Sequence, residues 1–210
     1  FRGARISLII AVVSVVVNVI IGMIYGAIAG YYGGAVDLIM MRICEILNSI
    51  PFLVLMILFI LYFGTGMFSI IAAFLIKGWV GTAVLTRTQF YRFKNQEYVM
   101  AARTLGARDR RIIWKHIFPN SLGTIITSSA LVIPSVIFQE SMLSYLGIVK
   151  LGSAATTSLG TLLSDASSIW TNYPHLMIFP AIIISLLMIC FNLFGNGLRD
   201  ALDPTQRGQE

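Results

Sequence analysis

ISLIIAVVSVVVNVIIGMIYGAIAGYYGGAV, residues 6–36, holds no Asp, Glu, Lys or Arg in 31 consecutive positions. A helix needs roughly 20 apolar residues to cross about 30 Å of hydrocarbon. Inside lipid its backbone groups must bond within the helix itself. Three more runs free of those charges follow, at residues 46–76, 117–139 and 166–198. The whole chain is 57% hydrophobic and 11% charged, with a mean hydropathy of +0.85. A soluble domain carries about 25% charged residues, so this chain has too few polar groups to cover a water-facing surface. The expected fold class is all-α, a polytopic helical bundle in a membrane.

Taken in order, the pattern predicts five spans, at residues 6–29, 36–62, 68–87, 120–146 and 174–198. In the first, Gly22, Gly26 and Gly30 recur on one face. They either admit a close helix neighbour or are merely tolerated in a membrane helix. Tyr31-Tyr32-Gly33-Gly34 and Gly64-Thr65-Gly66 read as turns. Arg42 and Glu45, three apart, are placed to pair near the interface, and Pro51 is expected to kink the second span. Lys77 falls near the middle of the third span. It either faces a partner or a watery cavity, or snorkels from a helix that starts later. The fourth span contains Pro134 and carries Gln139 and Glu140 near its far end. A serine- and threonine-rich segment follows, with one short helical candidate at 158–169. Cys44 and Cys190 sit in apolar context and read as small core residues rather than a disulfide or metal pair. Two histidines, His116 and His175, cannot build a metal site alone. The chain opens on Phe1 without a basic, cleavable leader. It is expected to lack an N-terminal portion with room for a further span.

EYVMAARTLGARDRRIIWKHIFP, residues 97–119, is the one long polar interruption and carries five of the fifteen Lys/Arg residues. With this loop on the cytoplasmic side, that side holds eleven Lys/Arg and the other holds three, Arg2, Arg5 and Lys150, leaving Lys77 in the membrane. Such a bias is the topogenic signal of a cytoplasmic loop, and it sets aside a nucleic-acid reading of the net charge of +6. Residues 96–105 have helix-forming composition, and Gly106 stands where a left-handed cap would end that helix. Asp109 is placed to cap a second helix with Ile112, Ile113 and Ile117 on one side. Pro119 is expected to stop it, and Asn120 or Ser121 to start the next span. The product is a helix–turn–helix across the cytoplasmic face. Composition alone favours a loop resting on anionic headgroups.

Spacing adds a second reading. Ala101-Ala102, three residues, Gly106 and then Pro119 thirteen positions on resembles the EAA loop of ABC importer permeases. In that family the pattern is roughly E-A-A, three residues, G, nine residues, I-x-L-P. Here Met100 stands at the Glu position, His116 at the Ile position and Phe118 at the Leu position. The flanks match further. Gly3-Ala4-Arg5-Ile6-Ser7-Leu8, Glu97-Tyr98-Val99, Ala101-Ala102-Arg103, Leu105-Gly106-Ala107 and Gly197-Leu198-Arg199-Asp200-Ala201-Leu202-Asp203-Pro204 resemble the C-type subunit of the dipeptide/oligopeptide/nickel branch. The resemblance runs through essentially all 210 residues.

That resemblance implies a type I importer permease fold and one permease domain over residues 1–210. It implies a cytoplasmic coupling loop at 88–119 and an extracytoplasmic loop at 147–173. It also implies residence in a bacterial inner membrane with the C-terminus cytoplasmic. Glu97, Met100, Ala101, Ala102, Arg103, Gly106, Ala107 and Pro119 are then the residues that couple to an ATPase. Lys77, Gln139 and Glu140 are candidates for the substrate route. The implied partners are a second homologous permease, two cytoplasmic ATPase subunits, an extracytoplasmic binding protein, membrane lipid and a peptide. The chain has no G-x-x-x-x-G-K-[ST] phosphate loop, so ATP and Mg are expected on the ATPase subunits and no cofactor here. Within the branch, nickel and glutathione importers are alternatives. A self-sufficient secondary transporter or channel would want interior carboxylates or paired ion sites, and only Lys77 lies near the midplane. A membrane enzyme would need a converging nucleophile and base, which His116 and His175 do not supply.

Overall fold

The structure, a computed structural model, describes residues 2–149, 151 and 157–202. Among these the regular elements are all helical. They are α1 (Arg2–Tyr32), α2 (Gly34–Ser49), α3 (Phe52–Phe63), α4 (Met67–Lys77), α5 (Trp79–Lys94), α6 (Glu97–Thr104), α7 (Asp109–Arg111), a π-helical turn (Ile112–Ile117), α8 (Phe118–Ala130), α9 (Val132–Tyr145), α10 (Leu159–Ser167) and α11 (His175–Leu202). Four stretches are long and apolar enough to cross a membrane: Arg2–Tyr32, Met67–Lys94, Asp109–Tyr145 and His175–Leu202. The pair α2 and α3 makes a fifth crossing if counted as one bent span. The protein is therefore a multi-pass helical membrane bundle, in line with the expected five spans.

Helix α1 is the axis. Along its inner face Ser14, Asn18, Gly22, Gly26 and Gly30 recur every fourth residue, and all are buried. The small members let α5 lie against the α1 backbone: a Cβ placed on Gly26 would meet the Ala83 carbonyl oxygen at 2.2 Å and Thr86 Cβ at 2.8 Å. The glycine face thus serves close packing. Two apolar clusters flank this seam. One, toward the start of α1, gathers Ile10, Met56, Ile70, Phe74 and Ile137. The other, toward its end, gathers Tyr31, Phe90, Val99, Ile112 and Ile117. Helix α11 packs on α8, α9 and α10 and turns most of its apolar surface outward.

Several local expectations need correction. Pro51 does more than kink the second span: the chain breaks at Ile50–Pro51 and α3 leaves α2 at 78°. Pro51 lacks the N–H that would continue α2 and its ring crowds the preceding turn. Helix α5 runs on to Lys94, beyond the expected end at Arg87. Pro119 does not stop the helix that precedes it. It sits at the start of α8, just past the π-helical turn, and the chain stays helical from Asp109 to Tyr145. A wider turn spares the i−4 carbonyl that a proline would otherwise strike. The interruption falls instead at Leu131, three residues before Pro134. Asp109 is not a side-chain cap, because Arg108 holds the N-cap position. Cys44 is buried as expected, but Cys190 is exposed on α11. The last helix persists to Leu202 rather than ending at Leu198. Lys150, Asp203, Pro204 and Arg207 lie outside the described residues.

Candidate functional site

The segment expected to couple folds as a compact lever. Helix α6 ends in a reciprocal pair of backbone bonds, Gly106 N–H to Arg103 and Ala107 N–H to Ala102, each 3.0 Å. Gly106 sits at φ +81° between them. That is the left-handed helix end foreseen for it, at a position where a Cβ is costly. Val99, Ile112 and Ile117 are buried against the bundle, with Ala107 and Ile113 packed beside them. The opposite face is open. Leu105 is 88% exposed, Met100 55% and Trp114 61%, while Ala101 is exposed and Ala102 half-buried between them. Glu97, Arg103, Gly106 and Pro119 are likewise exposed.

Polar bonds fix the lever from above. The Tyr31 hydroxyl, at the end of α1, donates to the Asp109 carboxylate and accepts from Arg103 Nη2 at 3.2 Å. Lys94 Nζ donates to the carbonyls of Gly30 at 2.9 Å and Tyr31 at 3.3 Å. Arg87 holds the Asp37 carboxylate through Nε and Nη2, tying α5 to the start of α2. Asp37 is 8% exposed, and an acid so buried requires such a partner. None of these three ties was foreseen. The one signal available was that Asp37 is the first acid in the chain, alone among apolar neighbours.

A cavity of about 350 Å³ opens in the bundle beside the break in the second span. Its polar lining comes from Asn18, Asn48, Lys77, Thr82, Ser129 and Gln139, against a wall that includes Val15, Phe52, Phe74 and Val136. Lys77 Nζ donates to the carbonyls of Asn48 at 2.9 Å and Ile50 at 2.8 Å. Carbonyls at the end of a helix have no partner within it, and a cation there also meets the negative end of the helix dipole. The intramembrane lysine thus has both a partner and a cavity, and it compensates for the backbone that Pro51 interrupts. The Arg42–Glu45 pair forms as expected, at 2.5 Å on an exposed face.

Gln139 and Glu140 part company. One residue along a helix turns the side chain by about 100°, so Gln139 reaches the cavity wall while Glu140 is sealed at 1% exposure. Glu140 accepts from Ser7 Oγ at 2.7 Å and Ser144 Oγ at 2.9 Å. The same Ser7 oxygen accepts the Leu159 N–H at 3.3 Å. Glu140 therefore joins α1, α9 and α10 at the end of the bundle opposite the lever.

A helix–turn–helix standing on tightly packed spans, with a polar cavity above it, is an arrangement suited to a membrane transport component. The chain belongs to the family of binding-protein-dependent transport system inner membrane components, whose pattern matches residues 19–208. As such it is a transport permease and not an enzyme. It is 46% identical over 205 residues to the oligopeptide transport system permease protein OppC of Bacillus subtilis, covering 98% of this chain and 67% of that protein. It is 45% identical to the dipeptide transport system permease protein DppC of the same organism, covering 98% of this chain and 64% of that one. The chain thus spans about two thirds of the length of these relatives. Its fold also matches a chain of the MetNI methionine ABC transporter in an inward-facing conformation, with a TM-score of 0.77 at 16% identity over 96% of this chain and 95% of that one.

Proposed function

We propose that this chain forms one half of the translocation pathway of an ATP-driven importer for di- or oligopeptides. It acts as a single permease domain over residues 1–210. Its home is a bacterial inner membrane, with the 88–119 loop and the C-terminus cytoplasmic and the 147–173 loop outside. The Lys/Arg imbalance of eleven to three supports that orientation. A second homologous permease completes the route, and two ATPase subunits bind ATP and Mg and hydrolyse the nucleotide. An extracytoplasmic binding protein delivers the peptide. The peptide assignment is supported by the oligopeptide and dipeptide permeases that this chain resembles.

The observation that carries the reading is the lever. Its buried face is welded to the bundle through Val99, Ile112 and Ile117, and its open face offers Met100, Ala101 and Leu105 to a partner. An exposed apolar patch on a charged, water-facing loop marks a protein-docking surface. Glu97, Met100, Ala101, Ala102, Arg103, Gly106, Ala107 and Pro119 shape that surface or its hinge. Closure of the ATPase pair would move it, and the helical run from Asp109 through the π-helical turn into α8, which ends at Ala130, would carry the movement into the spans. Lys77 and Gln139 fit a place on the route, whereas the sealed Glu140 fits a structural one.

Purification from the native membrane in mild detergent is expected to bring an ATPase and a second permease along with this chain. A Cβ at Gly106 meets nothing within 4 Å, so Gly106→Asp spares the bundle's packing and strains only the left-handed turn at φ +81°. It is nonetheless expected to abolish ATPase association and ATP-driven uptake. Recovery of a lone, ATP-independent transporter, or a fully active Gly106→Asp variant, would overturn the reading.

A further inference from the structure

We propose that Tyr31 is a positioning residue through which the lever's movement reaches the first span, a helix to which the lever has no covalent neighbour. The proposal rests on the permease reading and deepens it. The lever is joined by the chain itself only to α5 on one side and α8 on the other. Yet α1, not either of these, is the axis on which the bundle packs. Tyr31 closes that gap. Its hydroxyl bridges Arg103, in the last turn of α6, and Asp109, the first residue of α7. A single oxygen therefore grips both arms of the helix–turn–helix, on either side of the Gly106 hinge. Among the described residues, the side-chain hydrogen bonds between 97–111 and the spans all pass through it.

The grip is stiff on its other side too. The Tyr31 ring is 7% exposed, packed with Phe90, Val99, Ile112 and Ile117, and the Arg103 guanidinium lies 6.0 Å from its centroid. Lys94 clamps the Gly30 and Tyr31 carbonyls to the end of α5. The glycine seam then holds α1 and α5 together along their length. A rotation of the lever that displaces Arg103 and Asp109 together pulls on the end of α1. Without the hydroxyl, the rotation reaches α1 only through the apolar contact of the ring, which lacks a directional bond to either arm.

Tyr31→Phe isolates this role. The ring stays in its apolar pocket, while Arg103 and Asp109, both within reach of one lost oxygen, are left near enough to pair with each other. The lever then keeps its fold but loses its polar tie to α1. In the chain reconstituted into lipid nanodiscs, hydrogen exchange at 97–111 is expected to rise several-fold, with α1, α5 and the thermal midpoint unchanged. In the assembled transporter, uptake of tri-alanine per ATP hydrolysed is expected to fall about fivefold or more, the lower range of typical site-to-site coupling, while basal ATP hydrolysis persists. Adding Asp109→Asn is expected to cause no further loss, because both changes cut one link. Unchanged exchange at 97–111, or normal uptake per ATP in Tyr31→Phe, would overturn the role of Tyr31 while leaving the permease reading in place. A wild-type assembly with no ATP-driven uptake would overturn both.

Discussion

Gly26→Ala adds one methyl group at the tightest point of the α1–α5 seam. That Cβ would lie 2.2 Å from the Ala83 carbonyl oxygen, 2.8 Å from Thr86 Cβ and 2.9 Å from the Arg87 nitrogen. Two of the three are backbone atoms and cannot swing away. Ordinary contact begins near 3.4 Å, so the carbonyl would have to retreat by 3.4 − 2.2 = 1.2 Å. Overpacking of this kind costs about 1–3 kcal/mol, and a rigid backbone contact belongs at the upper end. Against it stands the helix propensity of alanine, which favours the substitution by about 1 kcal/mol. The net expectation is a loss of about 2 kcal/mol, or roughly 4–8 °C in thermal midpoint at the scaling of a domain of this size. Gly81→Ala is the control. It lies on the same helix pair but would meet nothing within 4 Å, so only the propensity term remains and the midpoint should hold or rise. The purified chain in detergent can be followed by tryptophan fluorescence, since the Trp79 ring lies 4.7 Å from that of Tyr25, tilted by 56°, at this seam. Equal effects at the two glycines would refute the seam as a determinant of stability.

Two further outcomes follow from the polar ties. Lys77→Met leaves the Asn48 and Ile50 carbonyls without their donor and should weaken the break by about 1–3 kcal/mol, discounted because the lysine is only half-buried. Hydrogen exchange confined to residues 46–54 would register it, and an unchanged exchange pattern there would refute it. Asp37→Asn strips the counter-charge from Arg87, whose side chain is 32% exposed while that of Asp37 is 11% exposed. Breaking a fully buried pair costs about 3–5 kcal/mol, so roughly 1–3 kcal/mol is expected here after allowing for solvent screening. Thermal unfolding of the single variants and of the swapped pair Asp37→Arg/Arg87→Asp measures it. A swapped pair no better than either single change would count against the ion pair.

The spans were legible because lipid imposes a simple rule: charge is absent for as long as the helix is inside. The end of α6 was legible for a local reason, since Gly106 supplies a left-handed residue that others avoid. What escaped depends on distant partners. Whether Pro51 bends or breaks a helix turns on who satisfies the freed carbonyls, and Lys77 does so from 27 residues away. Pro119 looked like a terminator because the widened turn before it has no fixed sequence signature. Gln139 and Glu140 looked alike in sequence, and only the packing of α9 sends one to the cavity and the other to Ser7. Tyr31 read only as part of a turn, since Asp109 lies 78 residues further on.

The lysine at the broken span also constrains how the chain is made. A carbonyl left without a donor at this break costs about 1–3 kcal/mol, and Asn48 and Ile50, at the end of α2, present two until Lys77 arrives. Lys77 is synthesised after α3 and at the end of α4. The first half of this hairpin is therefore less stable in lipid until the second half emerges. The segment from Gly34 to Lys77 should leave the insertion machinery as a unit rather than span by span.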